Sequence, residues 1–199
     1  VIYHFFAHYR QGIITELVQD PRHEWTFYGD THDFSSNIKP YVFPPNINYV
    51  RLKVVRLIRN VIWQWGIVRI AASRDHDTLI LLGVSKYLSM WVAAIVGRLT
   101  GKRVLFWTHG WTYRPKGPLR YVRRAFYMLA HSIMTYGHWA KQIGLEEGFK
   151  PKQLHVIGNC LDLRAQNQAL LSINSERKSQ IRIELFGEDK VPSIHVHLG

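Results

Sequence analysis

Cysteine is nearly absent from this sequence, Cys160 being the only one in 199 residues. A single thiol excludes an internal disulfide framework and suits a reducing compartment. Acids are scarce over most of the chain. Between Phe34 and Leu145 the only carboxylates are Asp75 and Asp77, against seventeen Lys or Arg. Several signature patterns are missing as well. No G-x-G-x-x-G occurs, so a dinucleotide-binding turn has no support, and no G-x-S-x-G occurs, so a hydrolase elbow has none. Gly97–Lys102 is one residue short of a P-loop, and Arg103 stands where Ser or Thr would ligate magnesium. His23-Glu24 lacks the second His of a zinc protease. Asp75-His76-Asp77 reads as a solvated turn, and His195 and His197 have no recognisable third ligand. No metal site is expected.

What the chain does have is apolar bulk and positive charge. Hydrophobic residues make up 47%, including seven Trp, which is enough to fill a sizeable core. The length fits one domain, or one domain and part of another. No signal-peptide pattern opens the sequence, because Tyr3, His4, His8 and Arg10 interrupt any apolar run. The net charge is +12 and the isoelectric point about 10.0. Such a surface attracts phosphates in nucleic acid, anionic lipid headgroups or a pyrophosphate-linked substrate. Charge alone leaves these three open.

Short apolar runs alternate with longer helical ones. Residues 1–6, 25–28 and 48–52 read as strands, with a helix near 11–19. From Val54 to Ala72 apolar residues recur at helical spacing, which predicts a helix carrying Arg56, Arg59 and Arg69. Thr78–Leu82, Arg103–Trp107, Ser132–Tyr136 and Leu154–Ile157 read as four further strands, and 86–99 as a helix. Leu79–Gly97 carries one charge, Lys86, and has the length of a membrane span. Gly83, Ser85, Lys86 and Ser89 favour instead a strand, a turn and a helix. The alternation predicts an α/β fold, a Rossmann-like parallel sheet flanked by helices. Ligands in such sheets sit at the carboxyl ends of strands, which directs attention to the loops after Phe6, Leu82, Trp107, Tyr136 and Ile157. Beyond Asp162 the chain turns polar and helix-prone over 163–186, and 192–199 reads as a strand opening another unit.

Three segments at predicted strand ends carry a resemblance: Ala7-His8-Tyr9-Arg10-Gln11-Gly12, Trp107-Thr108-His109-Gly110-Trp111, and Val156-Ile157-Gly158-Asn159-Cys160-Leu161-Asp162. In this order they resemble the N-terminal, acceptor-side domain of retaining GT-B glycosyltransferases of family 4. The likeness covers about residues 1–162. It implies transfer of a hexose from a nucleotide-sugar co-substrate to a glycan or lipid-linked acceptor, with no metal or other cofactor. It further implies that 163–199 is a connector helix and the start of a donor-binding domain, without which the chain is inactive alone. His109 is the expected active-site residue, beside the transferred sugar. Tyr9, Arg10 and Gly12 would face phosphate at a helix N-terminus. Gly110 would leave room for the sugar ring, Tyr136 would line the cleft, and Asn159 and Asp162 would form its hinge.

Residues 118–131 are expected to form an amphipathic helix. Leu119, Val122, Phe126 and Leu129 make an apolar stripe expected to pack on the sheet. Arg120, Arg124, Tyr127 and His131 make a second stripe, with Arg123 alongside and Arg114 and Lys116 in the preceding loop. This basic surface suits an anionic membrane interface. The resemblance, whose members reach lipid-linked acceptors at the cytoplasmic face, implies a location that is cytoplasmic and peripheral at the inner face of the membrane. The rival reading is a non-catalytic basic α/β module on membrane or nucleic acid. No nucleic-acid-binding motif is present, which disfavours the latter partner.

Overall fold

The computed structural model describes residues 1–32, 38–58, 61–114, 117–159 and 163–186. The chain divides into two units, Val1–Leu161 and Asp162–Gly199.

The first unit is built on a seven-stranded sheet. Its strands are β1 (Ile2–Phe5), β2 (Thr26–Asp30), β3 (Asn48–Arg51), β6 (Thr78–Leu82), β7 (Arg103–Thr108), β8 (Ser132–Thr135) and β9 (Leu154–Val156). Their order is β3-β2-β1-β6-β7-β8-β9, and every neighbouring pair is parallel. The chain winds outward from β1 to β3, then crosses back to β6 and winds the other way. This is a Rossmann-like α/β fold, with its switch point between β1 and β6.

Register explains why the strands read as apolar runs. Leu81 pairs with Phe106, Phe106 with Ile133 and Ile133 with Leu154, and all four side chains are buried. That row lies under helices α3 (Leu88–Leu99), α4 (Leu119–Met128) and α5 (His138–Glu146). Phe126 of α4 stacks on Phe106 at 4.5 Å, and a Cβ at Gly144 of α5 would stand 2.9 Å from Leu154. On the opposite face, Ile80, Leu105 and Met134 are only half-buried, and there α1 (Gln11–Gln19) supplies Ile13 and Leu17. The segment with the length of a membrane span is β6, a turn and α3. Among the described residues, no helix is long and apolar enough to cross a membrane.

The structure corrects the helix expected over Val54–Ala72. Strands β4 (Val54–Ile58) and β5 (Val61–Gln64) form an antiparallel hairpin, and only Ile67–Ala72 is helical, as α2. The run is dense in Val and Ile, whose branched Cβ favours strands, and this outweighs the helical spacing. The left-handed Gly66, φ 85°, then turns the chain into α2. The hairpin is tied to the main sheet at its carboxyl edge. Val54 donates its N–H to the buried Asp30 at 2.8 Å, and Gln64 Nε2 donates to the Tyr3 carbonyl at 3.0 Å.

Helix α4 also departs from expectation. Its buried side chains are Phe126 and Tyr127, whereas Leu119 is 75% exposed and Val122 is exposed too. Tyr127, assigned by spacing to the charged stripe, is the one that packs inward, edge-on to Trp111. The apolar stripe therefore reaches the core only at its C-terminal end.

The second unit contains α6 (Leu163–Ser172) and α7 (Ser175–Phe186). The single helix read over 163–186 is broken at Asn174, whose Oδ1 accepts the Arg177 N–H at 2.8 Å as an N-cap.

Candidate functional site

The carboxyl edge of the sheet holds a cavity of about 350 Å³ beside the switch point. It is lined by Arg10, Trp107, Tyr136, Gly158 and Asn159, with Ile13, Leu17 and Trp25 on one side and Ile80, Leu105 and Met134 on the sheet face. None of its lining residues is acidic.

Arg10 organises this edge. It closes a single 3-10 turn, His8–Arg10, that leads from β1 into α1. Its Nη2 donates to the hydroxyls of Tyr3 and Tyr136, each at 2.9 Å. The guanidinium carbon lies 4.5 Å from the centre of the Tyr3 ring and 5.1 Å from that of Trp107. Strands β1 and β7 and the residue just after β8 thus each contribute one aromatic group to a cage around one cation. Burial pushes the Tyr3 phenol well above its ordinary value, with the Arg10 charge opposing. Tyr3 therefore stays neutral and cannot cancel that charge. The guanidinium is oriented by neutral groups, which leaves its positive charge for an anion. Trp107 is 8% exposed and Trp25 half-buried, and the indole N–H of each has no hydrogen-bond partner. Both are buried donors without a partner, in residues of the cavity wall.

His109 adjoins the cavity through Tyr136, its ring edge-on to that phenol at 4.6 Å between centres. Its position is fixed from below by Thr108. The Thr108 hydroxyl donates to the Gly83 carbonyl at 2.7 Å and accepts the Gly110 N–H at 3.1 Å. Burial, and then the Arg10 charge, holds the His109 imidazole below its ordinary pKa. At neutral pH it is uncharged, with one ring nitrogen able to donate and the other to accept.

The residues singled out by sequence separate into groups. Arg10, Tyr136 and Asn159 line one cavity, and His109 adjoins it. Tyr9 is 39% exposed, its ring centre 6.0 Å from the Arg10 guanidinium, and it does not line the cavity. Gly12 is the second residue of α1 and lies outside the lining as well. Gly110 has a local reason to be glycine that the sequence did not suggest. Its φ is +70°, and a Cβ there would stand 2.9 Å from Thr135 Cγ2 and 3.1 Å from Ala140 Cβ. Asp162 and Lys116 lie outside the described residues.

The basic surface near α4 is less bare than the sequence implied. Arg114 forms a two-pronged pair with Glu146, at 3.0 and 2.9 Å. Arg120 pairs with Glu147 at 3.0 Å, and Arg124 donates to the Glu147 carbonyl. Arg123 reaches toward the Tyr113 ring, 5.4 Å from its centre. Glu146 and Glu147 come just after the acid-poor stretch in sequence but fold back onto it.

Three site residues escaped the sequence reading. Tyr3 was read only as part of a strand, Trp107 as the strand end that opens the His109 segment, and Trp25 as a strand start.

The chain matches no family model, no curated protein and no solved structure.

Proposed function

We propose that this chain is the acceptor-side half of a retaining GT-B glycosyltransferase, with the Arg10 cavity as the place where the donor's diphosphate meets the protein. The observation that supports this most is a caged guanidinium with no acidic neighbour in the cavity lining, at the switch point of a parallel sheet. Ligands of such sheets sit at that point. A guanidinium gives a departing diphosphate the charge-assisted hydrogen bonds it needs as negative charge builds on it.

In this reading the bond from the sugar's anomeric carbon to the diphosphate oxygen breaks, and the oxygen leaves with the electron pair. The acceptor hydroxyl attaches on the same face and passes its proton to the departing phosphate. Arg10 stabilises the leaving group. His109 donates a hydrogen bond to the sugar while remaining uncharged, so no second cation stands beside an oxocarbenium-like centre. Trp107 and Trp25 form part of the wall against which the ligand lies.

The test is hexose transfer by the complete gene product from a panel of nucleotide sugars, in wild type, His109→Ala and Arg10→Met. The reading requires transfer with retained anomeric configuration and a loss of about 100-fold or more in each variant, the scale of one removed transition-state donor. Undiminished transfer in His109→Ala removes His109 from the site. Absence of transfer from every donor, together with salt-sensitive binding to DNA, favours instead a basic nucleic-acid-binding module, a reading the +12 charge permits.

A further inference from the structure

The Arg10 cavity is polar at its rim and apolar below it. Ile80, Leu105 and Met134 each stand between two buried neighbours in their strands and so point to the opposite sheet face. Parallel sheets are ordinarily covered on both faces. Here three apolar strand residues are left half-buried against an open volume, with Ile13 and Leu17 of α1 closing another side. Strand register gives the depth. Trp107 pairs with Met134 in the row nearest the carboxyl edge, and Ile80 pairs with Leu105 two residues, about 7 Å, further down. The charged and polar groups belong to the upper level. Arg10 lies 5.1 Å from the centre of the Trp107 ring, and Tyr136 and Asn159 come after the ends of β8 and β9.

A diphosphate at Arg10 leaves the lower row unaccounted for. A saccharide does not suit it, because hydroxyls buried against Ile80, Leu105 and Met134 would lose their water without gaining a partner. A long chain does not suit it either, since about 350 Å³ is at the small end of small-molecule sites. A compact ring system or a short branched chain fills such a space by apolar burial alone. An anionic group on that body would meet a guanidinium whose Nη2 bonds are to neutral hydroxyls. We propose that the cavity binds a compact amphiphilic anion, its acidic head on Arg10 and its apolar body on Ile80, Leu105 and Met134. The proposal concerns binding alone and does not depend on sugar transfer. Where the donor diphosphate also uses Arg10, the two ligands exclude one another, and the amphiphile inhibits donor binding.

The experiment titrates the purified protein, labelled with 13C at its methionine methyls, with 2-naphthyl phosphate. Two further probes divide that ligand: glucose 1-phosphate keeps the head on a polar body, and 2-naphthol keeps the body without the head. The three methionines report where binding occurs, since Met134 lines the cavity, Met90 is buried in α3 and Met128 is exposed on α4. Naphthyl phosphate should shift the Met134 signal, leave the other two in place, and bind about ten-fold or more tightly than either partial probe. Ile80→Phe, which fills the lower row, should weaken naphthyl phosphate by a similar factor and leave glucose 1-phosphate unaffected. Circular dichroism checks that this variant folds, and the wild-type comparison of probes decides the matter if it does not. Glucose 1-phosphate binding as tightly as naphthyl phosphate overturns the proposal. So does the absence of naphthyl phosphate binding at millimolar concentration, or a shift at Met128 with none at Met134. Nucleoside diphosphate is then added to the naphthyl phosphate complex. Displacement supports both ligands at Arg10, whereas retention counts against the donor reading and leaves the amphiphile site standing.

Discussion

Asp30→Asn probes the attachment of the hairpin to the sheet. Asp30 is 7% exposed. Its Oδ1 accepts the Thr31 N–H at 2.8 Å and Arg51 Nε at 3.1 Å, and its Oδ2 accepts the Val54 N–H at 2.8 Å. Asparagine keeps the size but has one acceptor oxygen. If that oxygen stays with Thr31 and Arg51, the new NH2 group faces the buried Val54 N–H, donor against donor. Leaving such a donor without its acceptor costs about 1–3 kcal/mol, and losing the charge on the remaining bonds adds about 1 kcal/mol. Arg51 contributes little, because its side chain is 59% exposed. The expected loss is about 2–4 kcal/mol, or about 5–15 °C in Tm for a unit of this size. Urea and thermal unfolding followed by circular dichroism measure it. The pH dependence supplies a second reading. Burial pushes the Asp30 carboxyl up, but the Val54 and Thr31 N–H groups and Arg51 outweigh it and hold the pKa below the usual range. The carboxylate's contribution is thus complete above about pH 4, the unfolded value, and is lost as pH falls through the lower folded one. Wild type and variant should converge in strong acid. A variant within about 0.5 kcal/mol of wild type at pH 7 would refute the reasoning.

Two further predictions concern the site and α4. His109 should titrate below the ordinary histidine value of about 6.5 in an NMR pH series, and Arg10→Met should raise its pKa by removing a nearby positive charge. An unchanged His109 titration in Arg10→Met would separate the two residues. Phe126→Ala should cost about 3–5 kcal/mol, because Phe126 is fully buried against Phe106 and Trp91. Leu119→Ala on the same helix should fall within about 0.5 kcal/mol of wild type, and equal losses in urea denaturation would contradict the observed packing.

The parallel sheet was legible because its strands are covered on one face by helices and partly covered on the other. That produces near-continuous apolar runs such as Thr78–Leu82 and Arg103–Thr108. The hairpin was not legible, since Val, Leu and Ile over 54–72 satisfy helical spacing while their branched side chains favour strand. Spacing also misjudged α4, where position along the helix decides burial more than side does. Arg10, Tyr136 and Asn159 were singled out through a resemblance at strand carboxyl ends, and the structure places all three around one cavity. Trp107, Tyr3 and Trp25 were missed as site residues because a sequence does not show which strand face lacks a helix. The pairing of Arg114 and Arg120 with Glu146 and Glu147 spans 32 and 27 residues, and nothing local signals it.

The central claim is that the Arg10 cavity takes a nucleotide diphosphate, and the seven Trp indole N–H signals test it directly. In a 1H–15N spectrum, millimolar nucleoside diphosphate should shift the Trp107 and Trp25 signals, whose N–H groups lack partners, and Arg10→Met should abolish the shifts. Signals of Trp63, Trp65, Trp91, Trp111 and Trp139 should stay in place. Shifts confined to those five, or a response that survives Arg10→Met, would contradict the account.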